Sequence, residues 1–230
     1  MDSLLTAFAA AFRLIVGLDA EVYYVAWTSL RVATTACALA VVVGVPLGVT
    51  IALRRFWGRE MLLLALNTLM ALPTVVVGLF LYALLGRRGP LGALELLYTP
   101  LGIVLGEFLL ALPIVANLTV AAVKTLDPRL VLTCKSLGAS PRQQAWMVVR
   151  EGRFAVMAAV VAGFGRVIGE VGVAMMIGGN IQGFTRTMTT AIALETSKGE
   201  FEMGLALGIL LLLVALVANA ALRRLQRTPQ

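Results

Sequence analysis

The sequence predicts an all-α integral membrane protein. Five transmembrane helices are expected, with an interfacial helix ahead of them and one charged loop between the third and fourth spans. Composition is the first observation: 60% of the 230 residues are hydrophobic and 13% charged, against about 45–50% and about 25% in soluble domains, and the mean hydropathy is +0.95. The second is length. Five apolar stretches reach the roughly 20 residues that a hydrocarbon core about 30 Å thick requires. The third is the sorting of cations, which alternates between the ends of those stretches as the positive-inside rule demands.

Taken in order, residues 1–20 hold an apolar run that is too short to span and contains Arg13. Phe8, Phe12 and Ile15 recur at helical spacing, which fits a helix lying in the interface; a tilted sixth span is the alternative. The run lacks the basic start and small-residue cleavage site of a signal peptide. The first span covers residues 25–53, with Gly44 and Gly48 as a small-xxx-small pair and a kink expected at Pro46. The second covers 61–85 and breaks at Leu72-Pro73, where proline removes a donor and forces its predecessor out of helical geometry. A turn-rich loop leads to the third span, 101–123, which carries Glu107 and Pro113. The fourth and fifth cover 154–179 and 203–222, separated by a Thr-rich segment and followed by a basic tail. The whole chain reads as one transmembrane domain with no room for a nucleotide-binding one.

Five spans put the two ends on opposite sides. With the N-terminus outside, the inner segments collect Arg54, Arg55, Arg59, Lys124, the cations of residues 127–153 and those of the tail, while the outer ones hold Arg13, Arg87, Arg88, Arg186 and Lys198. The C-terminus and the loop 127–151 then lie in the cytoplasm. That loop is dense in helix punctuation. Asp127 is an N-cap with Pro128 at the first helical position, and Gly138 suits the left-handed stop of that helix. Ser140 caps a second helix, with Pro141 at its start and Gln143 at capping-box spacing. Two short helices on a glycine elbow make a docking surface; an amphipathic connector would carry the same caps.

Several chemistries are excluded. The net charge of +7 and pI near 10.1 would suit a polyanion, but the sorting of the cations by membrane side explains them without nucleic acid. Cys37 lies in a span and Cys134 in the loop, so no disulfide is expected. With no histidine there is neither a metal cluster nor a Ser–His dyad, and no Walker A loop occurs. Nothing marks the chain as an enzyme.

The fourth span is the most unusual. Ala158, Ala162, Gly165, Gly169 and Gly172 share one face, which should pack closely on another helix or, alternatively, meet substrate. Arg166 and Glu170 stand four apart, and Glu107 is a second candidate partner for Arg166. Charges at membrane depth face protein or a watery path, so this group is either a structural ion pair or the lining of such a path. The outer segment, with Asn180, Arg186 and Thr187, offers the donors that an oxyanion needs, as would a solvated loop with a helix cap.

The loop resembles the cytoplasmic coupling loop of binding-protein-dependent ABC importer permeases, whose signature runs EAA, three residues, Gly, nine residues, I-x-LP. Aligned on Gly138, the centre Ser136-Leu137-Gly138-Ala139-Ser140-Pro141 agrees, whereas Leu132-Thr133-Cys134 replaces EAA and Val148-Val149-Arg150-Glu151 replaces I-x-LP. Leu72-Pro73-Thr74-Val75-Val76-Val77-Gly78 and Gly86-Arg87-Arg88-Gly89 are similar to the molybdate branch of oxyanion permeases. Gly169-Glu170-Val171-Gly172, Gly178-Gly179-Asn180-Ile181, the run from Thr187 to Gly199, and Arg150-Glu151-Gly152-Arg153-Phe154 are more similar to tungstate-type permeases.

The resemblance implies a five-span type I importer core in the plasma membrane, working as a homodimer among lipid. Two cytoplasmic ATPase subunits, which carry the ATP and Mg, and an extracytoplasmic oxyanion-binding protein complete it; this chain needs no cofactor of its own. Coupling then falls to Ser136, Leu137, Gly138, Ala139, Ser140, Pro141 and Arg142, with the Trp146/Val149 face fixing the loop to the spans. The path or gate falls to Glu107, Arg166, Glu170, Asn180 and Thr187. Tungstate is the expected cargo, with molybdate or another oxyanion as the alternative. An autonomous carrier using the buried charges is a competing class, though five spans without an internal repeat are few for one. A membrane scaffold is the third.

Overall fold

The computed structural model describes residues 2–226, with side chains from residue 7 to residue 224. Met1 and residues 227–230, which include Arg227 of the basic tail, lie outside the described residues. Within them the chain is helical throughout and has no strand. The order is α1 (Asp2–Val16), α2 (Ala20–Leu53), α3 (Arg59–Ala71), α4 (Thr74–Leu85), a 3-10 turn, α5 (Pro100–Lys124), α6 (Pro128–Ser136), α7 (Pro141–Glu151), α8 (Arg153–Ile168), α9 (Gly172–Gly178), α10 (Met188–Lys198) and α11 (Phe201–Gln226).

Three helices, α2, α5 and α11, are long and apolar enough to cross a membrane singly. Two helix pairs reach that length and hydropathy only when taken together, and both are bent: α3 and α4 meet at 101°, α8 and α9 at 56°, which gives up to five spans if each pair is one. The first bend sits where the sequence expects it. Leu72 is extended (φ −64°, ψ 136°) because Pro73 follows it, and Pro73 has no N–H with which to continue the helix. The second divides residues 154–179, which read as one uninterrupted stretch, and no proline causes it. There the Glu170 carboxylate accepts from Val173 N at 3.2 Å and so starts α9 afresh. Conversely, α2 and α5 run through Pro46 and Pro113 as single helices.

The α2–α5 pair forms the spine. A Cβ on Gly48 would lie 2.5 Å from Ala116 O and 2.7 Å from Thr119 Cβ, and one on Gly44 3.2 Å from Val115 Cγ1. The small-xxx-small pair therefore brings two backbones together. Val32, Ala36 and Ala40 of α2 pack with Ile103, Ala111 and Val115 of α5, and Val167, Met188 and Leu207 close this core from α8, α10 and α11. A second core joins Leu81 and Leu85 of α4 to Leu110, Val173 and Ile177. A third sets Leu66 of α3 against Ile51, Ala116 and Val120. α1 lies on α11, with Ala7 and Ala11 buried and Phe8 and Phe12 exposed.

The small-residue face of α8 departs from expectation. Gly172 packs on Thr74 and Val75 of α4. Ala162, Gly165 and Gly169 are exposed, and a Cβ on Gly165 would meet nothing within 4 Å. The close approach is made instead by Gly163, against Val115 of α5.

Candidate functional site

Two regions carry the sequence-predicted residues. The first is the elbow between α6 and α7. Asp127 accepts from Arg129 N at 2.8 Å to start α6. Gly138 (φ +72°) ends it, with Gly138 N donating to Lys135 O at 3.0 Å and Ala139 N to Cys134 O at 2.9 Å. Ser140 and Gln143 form a reciprocal capping box: Ser140 N donates to Gln143 Oε1 at 2.7 Å and Gln143 N to Ser140 Oγ at 3.4 Å. Gln144 Nε2 donates back to Ala139 O at 2.7 Å. The turn is thereby tied on both sides. Ser136, Leu137, Gly138, Ser140, Pro141 and Arg142 are exposed and Ala139 half-buried.

The anchor differs from the expected Trp146/Val149 face. Trp146 is 70% exposed, whereas Val148 is 1% exposed and packs with Val49 of α2 and Val123 of α5. Val149 joins the rim of that cluster. The residues alone do not separate the two, because Val148 and Val149 are equally apolar and only the placement of α2 and α5 decides which one is covered.

The second region lies inside the spans, where α8 breaks. Arg166 Nη1 donates to Glu170 Oε2 at 2.6 Å; the arginine side chain is 37% exposed and the carboxylate 3%. The Glu170 backbone carbonyl, freed by the break, accepts from Thr189 Oγ1 at 2.6 Å. Glu107 is buried and makes no ion pair among the described residues, and its Oε2 has no hydrogen-bond partner there. Arg166 therefore pairs with Glu170 rather than Glu107.

Residues 185–190 are buried, whereas 181–184 stay exposed. Thr187 caps α10 in a reciprocal box with Thr190, and Thr185 Oγ1 donates to Gly178 O while accepting from Ile181 N. Arg186 reaches Glu21 of α2 at 3.1 Å, and Gln182 donates to the same carboxylate at 2.7 Å. Tyr24 and Ser29 of α2 bind Gly183 O and Met188 N. Most of the hydroxyls that sequence offers to a ligand are thus consumed within the segment or on the carbonyls of Gly178 and Glu170, while Gln182, Arg186 and the α2 side chains fasten it to α2. Asn180 is left-handed (φ +51°) with its buried Oδ1 unpartnered. Sequence reasoning passed over Asn67 and Asn117, which meet side chain to side chain between α3 and α5. An amide on each of two apolar spans was the available signal. No group of residues suited to a metal ion occurs among the described ones.

Three long apolar helices and two bent pairs thus form a core with a capped elbow fixed to its spine. Residues 44–229 match the family described as binding-protein-dependent transport system inner membrane component. The tungstate uptake system permease protein of Peptoclostridium acidaminophilum is 38% identical over 98% of this chain and 99% of its own length. That of Campylobacter jejuni is 45% identical over 74% and 71%. Molybdenum transport permeases are more distant. Among solved structures, the permease fold of the MetNI methionine ABC transporter superposes with a TM-score of 0.76 at 14% identity, covering 92% of this chain and 97% of that one. The chain belongs to the binding-protein-dependent transport system inner membrane component family, the ABC importer permeases. It is a transporter permease and not an enzyme.

Proposed function

We propose that the chain is the membrane half of a tungstate importer of the plasma membrane, acting as a homodimer with its N-terminus outside and its elbow in the cytoplasm. The observation that carries the cargo assignment is the near full-length kinship with tungstate uptake permeases. Two ATPase subunits would hold the nucleotide and receive Ser136 to Arg142. Leu132 stands where the family's glutamate belongs, 64% exposed, and Leu137 is 80% exposed, so the ATPase groove meets apolar side chains in place of a charge.

The mechanics follow from connectivity. Gly152 is at once the C-cap of α7 and the N-cap of α8, so a push on α7 passes directly into α8. About 13 residues on, roughly 20 Å along the helix, α8 delivers Arg166 and then breaks. Arg166 and Glu170 line the path. A guanidinium held by its neighbour yet partly open can change partners to a passing dianion, which supplies the paired oxygens that its planar fork prefers. Glu107, Asn180 and Thr187 are the further candidates for the path, and selection for tungstate resides mainly in the binding protein.

The test is uptake by proteoliposomes holding the permease, its ATPase and its binding protein. ATP-dependent tungstate entry exceeding that of molybdate and sulfate is expected. Uptake by the permease alone, driven by an ion gradient, would overturn the assignment.

A further inference from the structure

Between α3 and α5, near the end that carries the elbow, the spans open into a polar cleft of about 440 Å³, lined by Glu60, Leu63, Asn67, Asn117, Val120 and Lys124 among others. Asn117 Nδ2 donates to Asn67 Oδ1 and lies 3.2 Å from Met70 Sδ. Whichever way the two amides are turned, one NH2 group and one carbonyl remain over, and Asn67 is exposed and Asn117 half-buried. Asn117 lies seven residues inside Lys124 and Asn67 eight inside Arg59, so both sit about 10 Å from the span ends. At that depth unsatisfied amides against lipid tails are strongly unfavourable. The cleft therefore faces water or protein, and at ~30 Å³ per molecule it has room for more than about ten waters.

Its lining carries one carboxylate, Glu60, and one ammonium, Lys124. Glu60 is taken by Arg59 at 2.8 Å, whereas Lys124 makes no ion pair among the described residues and is exposed. Resting on the oxyanion-importer reading above, we infer that this cleft is the cytoplasmic exit of the anion route, with the Asn67 and Asn117 amides as its lining and Lys124 at its mouth. Neutral donors suit an exit, because a site there must replace part of the hydration shell without holding the ion. In depth the order is Arg166, the amide pair, then Lys124.

The experiment uses the permease assembled with its ATPase and binding protein, carrying Cys37→Ser and Cys134→Ser. In that background Asn67→Cys is exposed to a membrane-impermeant sulfonated thiol reagent from the ATPase side. Modification is expected; a thiol that stays unmodified throughout turnover overturns the proposal. This readout does not depend on which anion is carried, so it stands apart from failure of the tungstate assignment. Asn117→Asp, which can accept from Asn67 once that amide turns over, is expected to lower tungstate uptake about tenfold, the effect of one negative charge about 6 Å from a dianion in water-like surroundings. Unchanged uptake would make the pair a helix fastener and overturn the route. If that variant fails to assemble, Lys124→Glu at the exposed mouth is expected to give at least as large a fall, and wild-type uptake there overturns the proposal equally.

Discussion

Gly138 offers the sharpest test of the elbow. A Cβ there would meet nothing within 4 Å, so space places no limit on the residue. Conformation does: φ is +72°, and a left-handed backbone costs an ordinary L-residue roughly 1–2 kcal/mol, more for a β-branched one and less for asparagine. At about 1.4 kcal/mol per factor of ten, Gly138→Val should cut the population of the intact elbow at least tenfold relative to its unwound alternatives. The bonds lost are those from Gly138 N and Ala139 N to the end of α6. Since α7 is held separately by Val148 against Val49 and Val123, thermal unfolding of the membrane part should not change. The assay is ATP hydrolysed per tungstate imported in proteoliposomes, and that ratio should rise in the order Gly, Asn, Ala, Val. A valine variant that imports with the wild-type ratio would refute the elbow as a lever.

Four further outcomes are expected. Gly48→Ala should lower thermal stability by about 1–3 kcal/mol, since the new methyl meets the Ala116 carbonyl, partly offset by about 1 kcal/mol of helix propensity. Gly165→Ala has open space around its Cβ and should leave stability unchanged or raise it by about 0.5–1 kcal/mol in the same unfolding measurement. Arg166→Leu should depress uptake more than Arg186→Leu, because it strands a carboxylate that is 3% exposed, whereas the partner of Arg186 is 38% exposed and keeps Gln182. Equal rates for the two would remove the case for Arg166. Thr189→Val keeps the shape but loses the 2.6 Å bond to Glu170 O, for an expected loss of about 1–2 kcal/mol in the unfolding transition.

Much of this was legible in the residues, for identifiable reasons. Caps and prolines act through bonds one to four residues away, so Asp127, Gly138, Ser140 and Leu72-Pro73 each announce a local geometry that sequence order alone decides. The Gly44/Gly48 approach was legible as a type of contact, since only small residues let helix backbones come so close, but its partner on α5 was not. The bend at Gly169–Val171 has no such marker. It depends on Glu170 capping Val173 and on Thr189, nineteen residues on, taking up the freed carbonyl. A similar fold-back hid the fate of the Thr-rich segment, whose hydroxyls look available in one dimension and are consumed by one another and by the carbonyls of Gly178 and Glu170.

The placement of the Arg166–Glu170 pair then gains a physical sense. The core around α2 and α5 includes Val167 and Ile168 at the end of α8, while the core of α4 includes Val173 and Ile177 of α9. The break between α8 and α9 thus falls where one packed body hands over to another, and Ala174 of α9 is shared with the first. Packed bodies resist continuous deformation, so on the proposed coupling a displacement entering through α7 and α8 would be taken up at the joint between them. Exposed Gly165 and Gly169 leave room there, and the ion pair spans the joint itself. Arg166 is set in the body that receives the push, and Glu170 is fastened through Val173 to the body that lags. Any relative movement must stretch or reorient that pair, and under the proposed function that is where an incoming oxyanion would compete for the guanidinium.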